Sequence, residues 1–167
     1  MILLHVEAST YCNARCPLCP RSLYGYKVEG VWPEVHLLVN KFEKCLERFP
    51  AREYVYFNGH LGDPMMNPDI VALAKLTKCR TSITTNGSIG TQKTWEDLAK
   101  NKIEVKFSID GLDDTNHLYR QDVQWSKIME RVKWFIAAGG PLPQPRYCAT
   151  VSVLRYPGNI EQRVHRL

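Results

Sequence analysis

Two hydrophobic periods alternate along the chain. Short stretches rich in β-branched and aromatic residues, over 2–8, 54–58, 81–86, 103–110 and 147–154, read as strands. Between them, apolar residues recur three and four positions apart, the signature of amphipathic helices over 33–49, from 67 onward, over 91–101 and over 123–138. A fifth helix begins after Asn159. The punctuation agrees: Pro33 suits a first helical turn, and Asn67-Pro68-Asp69 joins a cap to a helix-compatible proline. Asn86-Gly87 and Gly111 end strands, and Gly139-Gly140 stops a helix. The resulting order, βαβαβαβαβ, predicts an α/β fold with a parallel sheet joined by right-handed crossovers.

The polar positions choose between an open sheet and a barrel. In the fourth strand Ile103, Val105, Phe107 and Ile109 share one face, and Glu104, Lys106, Ser108 and Asp110 share the other. Ser82, Thr84 and Asn86 repeat the pattern in the third strand, Thr150 and Ser152 in the fifth. A parallel strand buried on both sides is normally apolar throughout. Neighbouring strands with one polar face instead point to a curved sheet whose polar side lines a cavity. The expectation is a partial, TIM-like barrel with five parallel strands and helices outside.

Composition adds limits rather than a function. At 167 residues the chain is one domain, with a 44% hydrophobic and 23% charged composition usual for globular proteins. No apolar run approaches the ~20 residues that cross a bilayer, and residues 1–4 lack the basic start of a signal peptide, so the expected setting is the cytoplasm. The net charge of +5 is scattered, which argues against a nucleic-acid partner.

The six cysteines carry more information. Cys12, Cys16 and Cys19 crowd into eight residues, whereas Cys45, Cys79 and Cys148 stand apart. In a chain without an export signal, such a cluster reads first as metal binding. Cys45 lies on the apolar stripe Val35, Leu38, Val39, Phe42, Leu46 and Phe49, so it is expected in the core. Cys79 and Cys148, near strand starts, are also expected to be buried. The C-x3-C-x2-C loop directly follows the first strand. Its three thiolates can hold three corners of a cubane [4Fe–4S] cluster, and a missing fourth cysteine leaves one iron open. The alternative is a structural zinc site completed by His5 or His60, although no second C-x2-C exists.

This loop, with the apolar Leu18 just before its third cysteine, resembles that of the radical SAM superfamily. In that family the open iron chelates S-adenosylmethionine (SAM), and reductive cleavage gives a 5′-deoxyadenosyl radical that abstracts hydrogen from a substrate. Further segments follow in the family's order. Gly59-His60-Leu61-Gly62-Asp63-Pro64 resembles its Gly-Gly-Glu-Pro segment, with Asp63 one methylene shorter than the usual acid. Thr84-Thr85-Asn86-Gly87 is similar to its Thr-Asn-Gly strand end, and Ser108-Ile109-Asp110-Gly111 to its Ser-x-Asp-Gly. His117-Leu118-Tyr119-Arg120 looks like its short helix ending Tyr-Arg. The resemblance implies cluster ligation by Cys12, Cys16 and Cys19. It implies SAM contacts from Leu18, Gly62, Asp63, Asn86, Ser108, Asp110, Arg120 and, on the fifth strand, Val151.

The family core is commonly a (βα)6 partial barrel, and residues 1–167 supply a core that is incomplete at the C-terminal end, before a sixth strand. A missing segment or a second chain is expected to complete it. Cys19-Pro20-Arg21 and Gly30-Val31 resemble members that modify peptides or make molybdopterin-type cofactors. The implied partners are a peptide or small-molecule substrate and an external one-electron reductant such as a flavodoxin or ferredoxin. The competing readings are a zinc-stabilised α/β binding module and an inactive, truncated cluster-binding remnant.

Overall fold

The computed structural model describes residues 2–23, 26–27 and 33–141. In chain order its elements are β1 (Ile2–Glu7), β2 (Ser22–Leu23), β3 (Tyr26–Lys27), α1 (Val39–Glu47) and β4 (Arg52–Asn58). A 3-10 turn (Pro64–Met66), α2 (Ile70–Leu76), β5 (Arg80–Thr85), α3 (Gln92–Lys100), β6 (Glu104–Phe107), α4 (Asn116–Tyr119) and α5 (Trp125–Ala137) follow. β2 and β3 form a small antiparallel hairpin. The other four strands form one parallel sheet in the order β1-β4-β5-β6. The expected fifth strand over 147–154 and the helix after Asn159 lie outside the described residues, as do Gly30-Val31, Cys148 and Val151.

Strands that are neighbours in this sheet are also successive crossover partners in the sequence. The helices stack in the same order, α1 on α2, α2 on α3 and α3 on α5. A doubly wound sheet must reverse its winding to cover both faces with helices. Here the winding continues in one sense, so the helix layer covers one face and leaves the other as the wall of a partial barrel.

The core fills the space between sheet and helices. Val55, Phe57, Ile83, Val105 and Phe107 from the strands meet Phe42, Leu46, Leu73, Leu98 and Phe135 from the helices. Trp95 is fully buried, stacked on Phe107 at 5.4 Å between ring centroids and edge-on to Phe135 at 6.3 Å. Burying each such large side chain is worth roughly 1.5–3 kcal/mol.

The opposite face is polar, as the alternation in the third and fourth strands predicts. Lys106 donates to Ser82 Oγ at 3.2 Å, and the Tyr54 hydroxyl donates to Glu104 Oε2 at 2.6 Å. Tyr54 and Tyr56 stack at 4.0 Å, and His5 stacks on Tyr56 at 5.1 Å. No helix among the described residues is long and apolar enough to cross a membrane.

Two expectations require correction. The helix expected over 33–49 starts only at Val39. The preceding residues are extended because the backbone beside the cysteine loop offers partners. Thr10 N donates to Val35 O at 3.0 Å, Leu37 N to Ala8 O at 2.9 Å, and Val35 N to Thr10 Oγ1 at 2.7 Å. With the helix shortened, only Phe42 and Leu46 of the apolar stripe are buried; Val35, Leu38 and Phe49 are exposed. Cys45, expected in the core, is exposed as well. Cys79 is half-buried against the core.

Candidate active site at the strand ends

The cysteine loop leaves the end of β1 and is shaped first by its own backbone. Ala14 N donates to Cys12 Sγ at 3.4 Å, Cys19 N to Cys16 O at 3.0 Å, and Ser22 N to Cys19 O at 2.8 Å. Cys16 is buried, Cys12 and Cys19 are half-buried, and all three are free thiols. Burial, then the charge of Asp63 and the neighbouring thiols, pushes Cys12 up to about 12. Burial likewise raises Cys16, although the Arg120 cation opposes it. A thiol held this way stays protonated at neutral pH until a metal displaces the proton.

Residues from every other strand end hold this loop. Asp63 N donates to Tyr11 O at 2.7 Å, which ties the exit of β4 to the loop entry. The exit of β5 reaches it through Asn86, whose Nδ2 donates to Asn13 Oδ1 at 2.8 Å, and through Ser88, whose Oγ accepts from Asn13 Nδ2 at 2.9 Å. The segment after β6 supplies a third tie. Arg120 pairs with Asp110, and its Nη1 lies 3.6 Å from Cys16 Sγ. Arg15, inside the loop, pairs with Asp122, and its backbone N donates to Gln121 O at 3.1 Å. Burial works against the charged form of Arg120, but Asp110 and Cys16 outweigh it and keep the guanidinium protonated.

The sequence-predicted residues therefore divide by position. Cys12, Cys16, Cys19, Asn86, Asp110 and Arg120 are joined by direct contacts or through Asn13. Ser108 continues the β6 ladder by donating its N–H to Thr85 O at 2.8 Å, which keeps it at the same sheet end. Gly62 is buried where the loop after β4 presses against Ser9 and Tyr11. Leu18 is 54% exposed, an apolar side chain standing free on the cysteine loop. Asp63 is buried, with its carboxylate turned to Thr85, Asn86 and Met65. Val151 lies outside the described residues.

Several residues at the site escaped the sequence reading. Arg21 is buried and donates to the carbonyls of Thr10 and Leu61, the latter at 2.7 Å. Glu7 accepts from the backbone of His60 at 3.0 Å and Leu61 at 3.2 Å. Asn13 and Thr85 bridge elements far apart in sequence. Only proximity to the cysteines could have marked Asn13 and Arg21; Thr85 lay in the quoted Thr-Asn-Gly strand end without a role, and nothing in the linear pattern marks Glu7.

Three thiols on one loop are the donors that an iron–sulfur cluster takes. Among the described residues no group of three or more His, Cys, Asp and Glu is already placed to hold a metal ion. The histidines offered for zinc face elsewhere. His5 Nδ1 lies 2.7 Å from Asn58 Nδ2, and the largely exposed His60 lies beside Glu7. In a cubane each thiolate takes a different iron, so three cysteines spread along a short loop suit it.

A polar-lined partial barrel with a three-cysteine loop and basic and acidic side chains gathered at its strand ends defines a class of iron–sulfur enzyme core. The comparisons with known proteins identify that class: the Radical SAM superfamily profile matches residues 6–164, and the chain belongs to this family. The family's cofactors are a [4Fe–4S] cluster and SAM. Among curated proteins, the tungsten-containing aldehyde ferredoxin oxidoreductase cofactor-modifying protein of Pyrococcus furiosus is 30% identical over 119 residues, covering 67% of this chain and 32% of its own length. Among solved structures, anSMEcpe with bound AdoMet aligns over 83% of this chain and 41% of its own, at 22% identity and a TM-score of 0.66. Streptococcus suis SuiB bound to S-adenosylmethionine aligns over 83% and 32%, at 24% identity and a TM-score of 0.66. The chain thus spans well under half the length of these relatives.

Proposed function

We propose that this chain is the cofactor-binding core of a radical SAM enzyme, with Cys12, Cys16 and Cys19 as the cluster ligands. The observation that carries the reading is the convergence of β4, β5 and post-β6 residues on that one loop. The bound cofactors would supply a substrate-activating radical, generated from SAM by one electron from a flavodoxin- or ferredoxin-type donor. The protein's own contribution is to hold and orient. Arg120 offers a fixed cation to the SAM carboxylate beside Cys16, and Asp110 keeps its guanidinium in place. Ser108 and the backbone at Gly62 supply polar contacts from two strand ends, and Asn86 fixes the loop beside them through Asn13. Leu18 and Val151 provide apolar contact for the adenosyl group.

The polar wall with His5, Tyr56 and Lys106 faces the substrate side of the sheet. A peptide or a small molecule fits the relatives, one of which is named for modifying a cofactor and another of which has been solved with a precursor peptide. Residues 1–167 act as the core domain of a cytoplasmic protein.

Anaerobic reconstitution with iron and sulfide tests the reading. We expect about four irons per chain, an EPR signal that changes on adding SAM, and 5′-deoxyadenosine under dithionite. Stoichiometric zinc without an iron signal would overturn it. Cys12→Ala, Cys16→Ala and Cys19→Ala should each abolish the cluster, whereas Cys45→Ala, Cys79→Ala and Cys148→Ala should leave it intact. Equal iron loss across all six would reject the ligand assignment.

A further inference from the structure

Asp63 occupies the place of the acid that the resemblance assigns to the SAM amino group, but its carboxylate is already committed. Oδ1 accepts from Met65 N at 3.0 Å and from Thr85 Oγ1 at 2.8 Å. Oδ2 accepts from Asn86 N at 2.8 Å and lies 3.0 Å from the same Thr85 hydroxyl. A carboxylate has about four lone-pair sites, and three donors take three of them, the single Thr85 proton lying between the two oxygens. The residue is 4% exposed, and every donor its oxygens meet belongs to the protein's own interior. The short side chain matters here, because it keeps the carboxylate close enough to its own backbone to cap the turn at Met65.

The contacts do not end at Asp63. Asn86, fixed by its backbone N–H on Oδ2, donates from Nδ2 to Asn13 Oδ1 at 2.8 Å. Its own Oδ1 accepts from Ser88 N at 2.9 Å and Ser88 Oγ at 2.6 Å, and Ser88 Oγ accepts from Asn13. Asn13 directly follows Cys12 in the chain. The buried carboxylate therefore anchors a closed ring of three side chains, and that ring grips the cysteine loop.

We infer that Asp63 is a positioning residue that acts through Thr85 and Asn86 on Asn13 and the cysteine loop, and that it does not bind the SAM ammonium itself. This rests on the reading of the site given above. Thr85 separates the two roles: the residue is 2% exposed, and its hydroxyl donates to Asp63 at 2.8 Å and accepts from Gly87 N at 3.1 Å.

The test compares Asp63→Asn, Asp63→Glu, Thr85→Val and the Asp63→Asn/Thr85→Val double variant, each reconstituted and titrated with SAM while the EPR signal of the reduced cluster is followed. A positioning role predicts that D63N and T85V each weaken SAM binding ~10-fold and that the double variant is also ~10-fold weaker rather than ~100-fold. D63E should be as impaired as D63N, and Thr85→Ser, which keeps the hydroxyl, should restore wild-type affinity. Loss of SAM affinity in D63N with T85V unaffected, or D63E binding as well as wild type, would show a direct ligand and overturn the inference. Unchanged SAM affinity in every variant would reduce the network to bulk stability and overturn it too. Amide exchange of the metal-free chain reads the same coupling without cofactors. The Ala14 and Arg15 amides should exchange ~10-fold faster in D63N, T85V and the double variant alike, with α5 unaffected. If wild type takes up neither cluster nor SAM, the proposed function falls, while exchange at Ala14 and Arg15 still decides the role of Asp63: no acceleration there overturns it.

Discussion

A methyl group added at Gly62 would meet the backbone carbonyl oxygens of Ser9 and Tyr11, the latter at 2.6 Å. Neither oxygen belongs to a side chain that can swing away, so alanine must push the loop after β4 off the cysteine loop. That displacement also breaks the bond from Asp63 N to Tyr11 O. Gly62→Ala should therefore cost about 1–3 kcal/mol in unfolding free energy and release iron faster from the reconstituted chain. Chemical denaturation and iron retention on a desalting column check both parts; a variant as stable and iron-retentive as wild type would remove Gly62 from the site. Gly62 and Arg120 were legible in the sequence because motif order placed them. The roles of Asn13, Thr85 and Glu7 were not, since they rest on contacts to residues more than twenty positions away.

Elements are joined at the other end of the sheet by charge. Glu104 on β6 accepts from Arg80 Nε on β5 at 2.6 Å and from the Tyr54 hydroxyl on β4 at 2.6 Å. Burial alone would raise the carboxyl, but these hydrogen bonds outweigh it and hold Glu104 below its ordinary value. A lowered folded-state value means stability that is present above the unfolded carboxylate value and lost as pH falls through the folded one. Arg80 is largely exposed, so the effect is discounted to about 1 kcal/mol or less. Thermal melts of Glu104→Gln should show a small deficit at neutral pH that disappears in acid. A deficit that persists below the carboxylate range would mean packing rather than charge. The helix starting at Val39 rather than Pro33 belongs to this scale too. The helical period in residues 33–38 is real, but Ala8 and Thr10 offer backbone partners that periodicity cannot register.

Over the whole molecule, the candidate ligands sit on a loop whose grip depends on three other strand ends, so cluster binding and folding are linked. A ligand that binds only the native state stabilises it by mass action. For a chain of this size the reconstituted protein should melt roughly 5–10 °C above the metal-free one, if the cluster binds at some hundred times its dissociation constant. Differential scanning calorimetry on wild type, Cys16→Ala and Cys45→Ala measures this. The increment should survive in Cys45→Ala and vanish in Cys16→Ala, and an increment retained in Cys16→Ala would uncouple the loop from the cluster.

The sequence by itself determined the alternation of strands and helices, the polar face of the later strands and the three-cysteine loop with its trailing motifs. Those are properties of spacing along the chain, and hydrophobic period and motif order register spacing directly. Tertiary structure alone decided that Cys45 faces solvent, that Arg120 reaches Cys16 and that the Asp63 carboxylate is buried against Thr85, Asn86 and Met65. Each of these depends on which atoms meet after the crossovers bring distant strand ends together. For Asp63 the deciding fact was the set of hydrogen-bond donors around one buried carboxylate, two of the three supplied by Thr85 and Asn86 at the β5 end rather than by the segment that carries the acid.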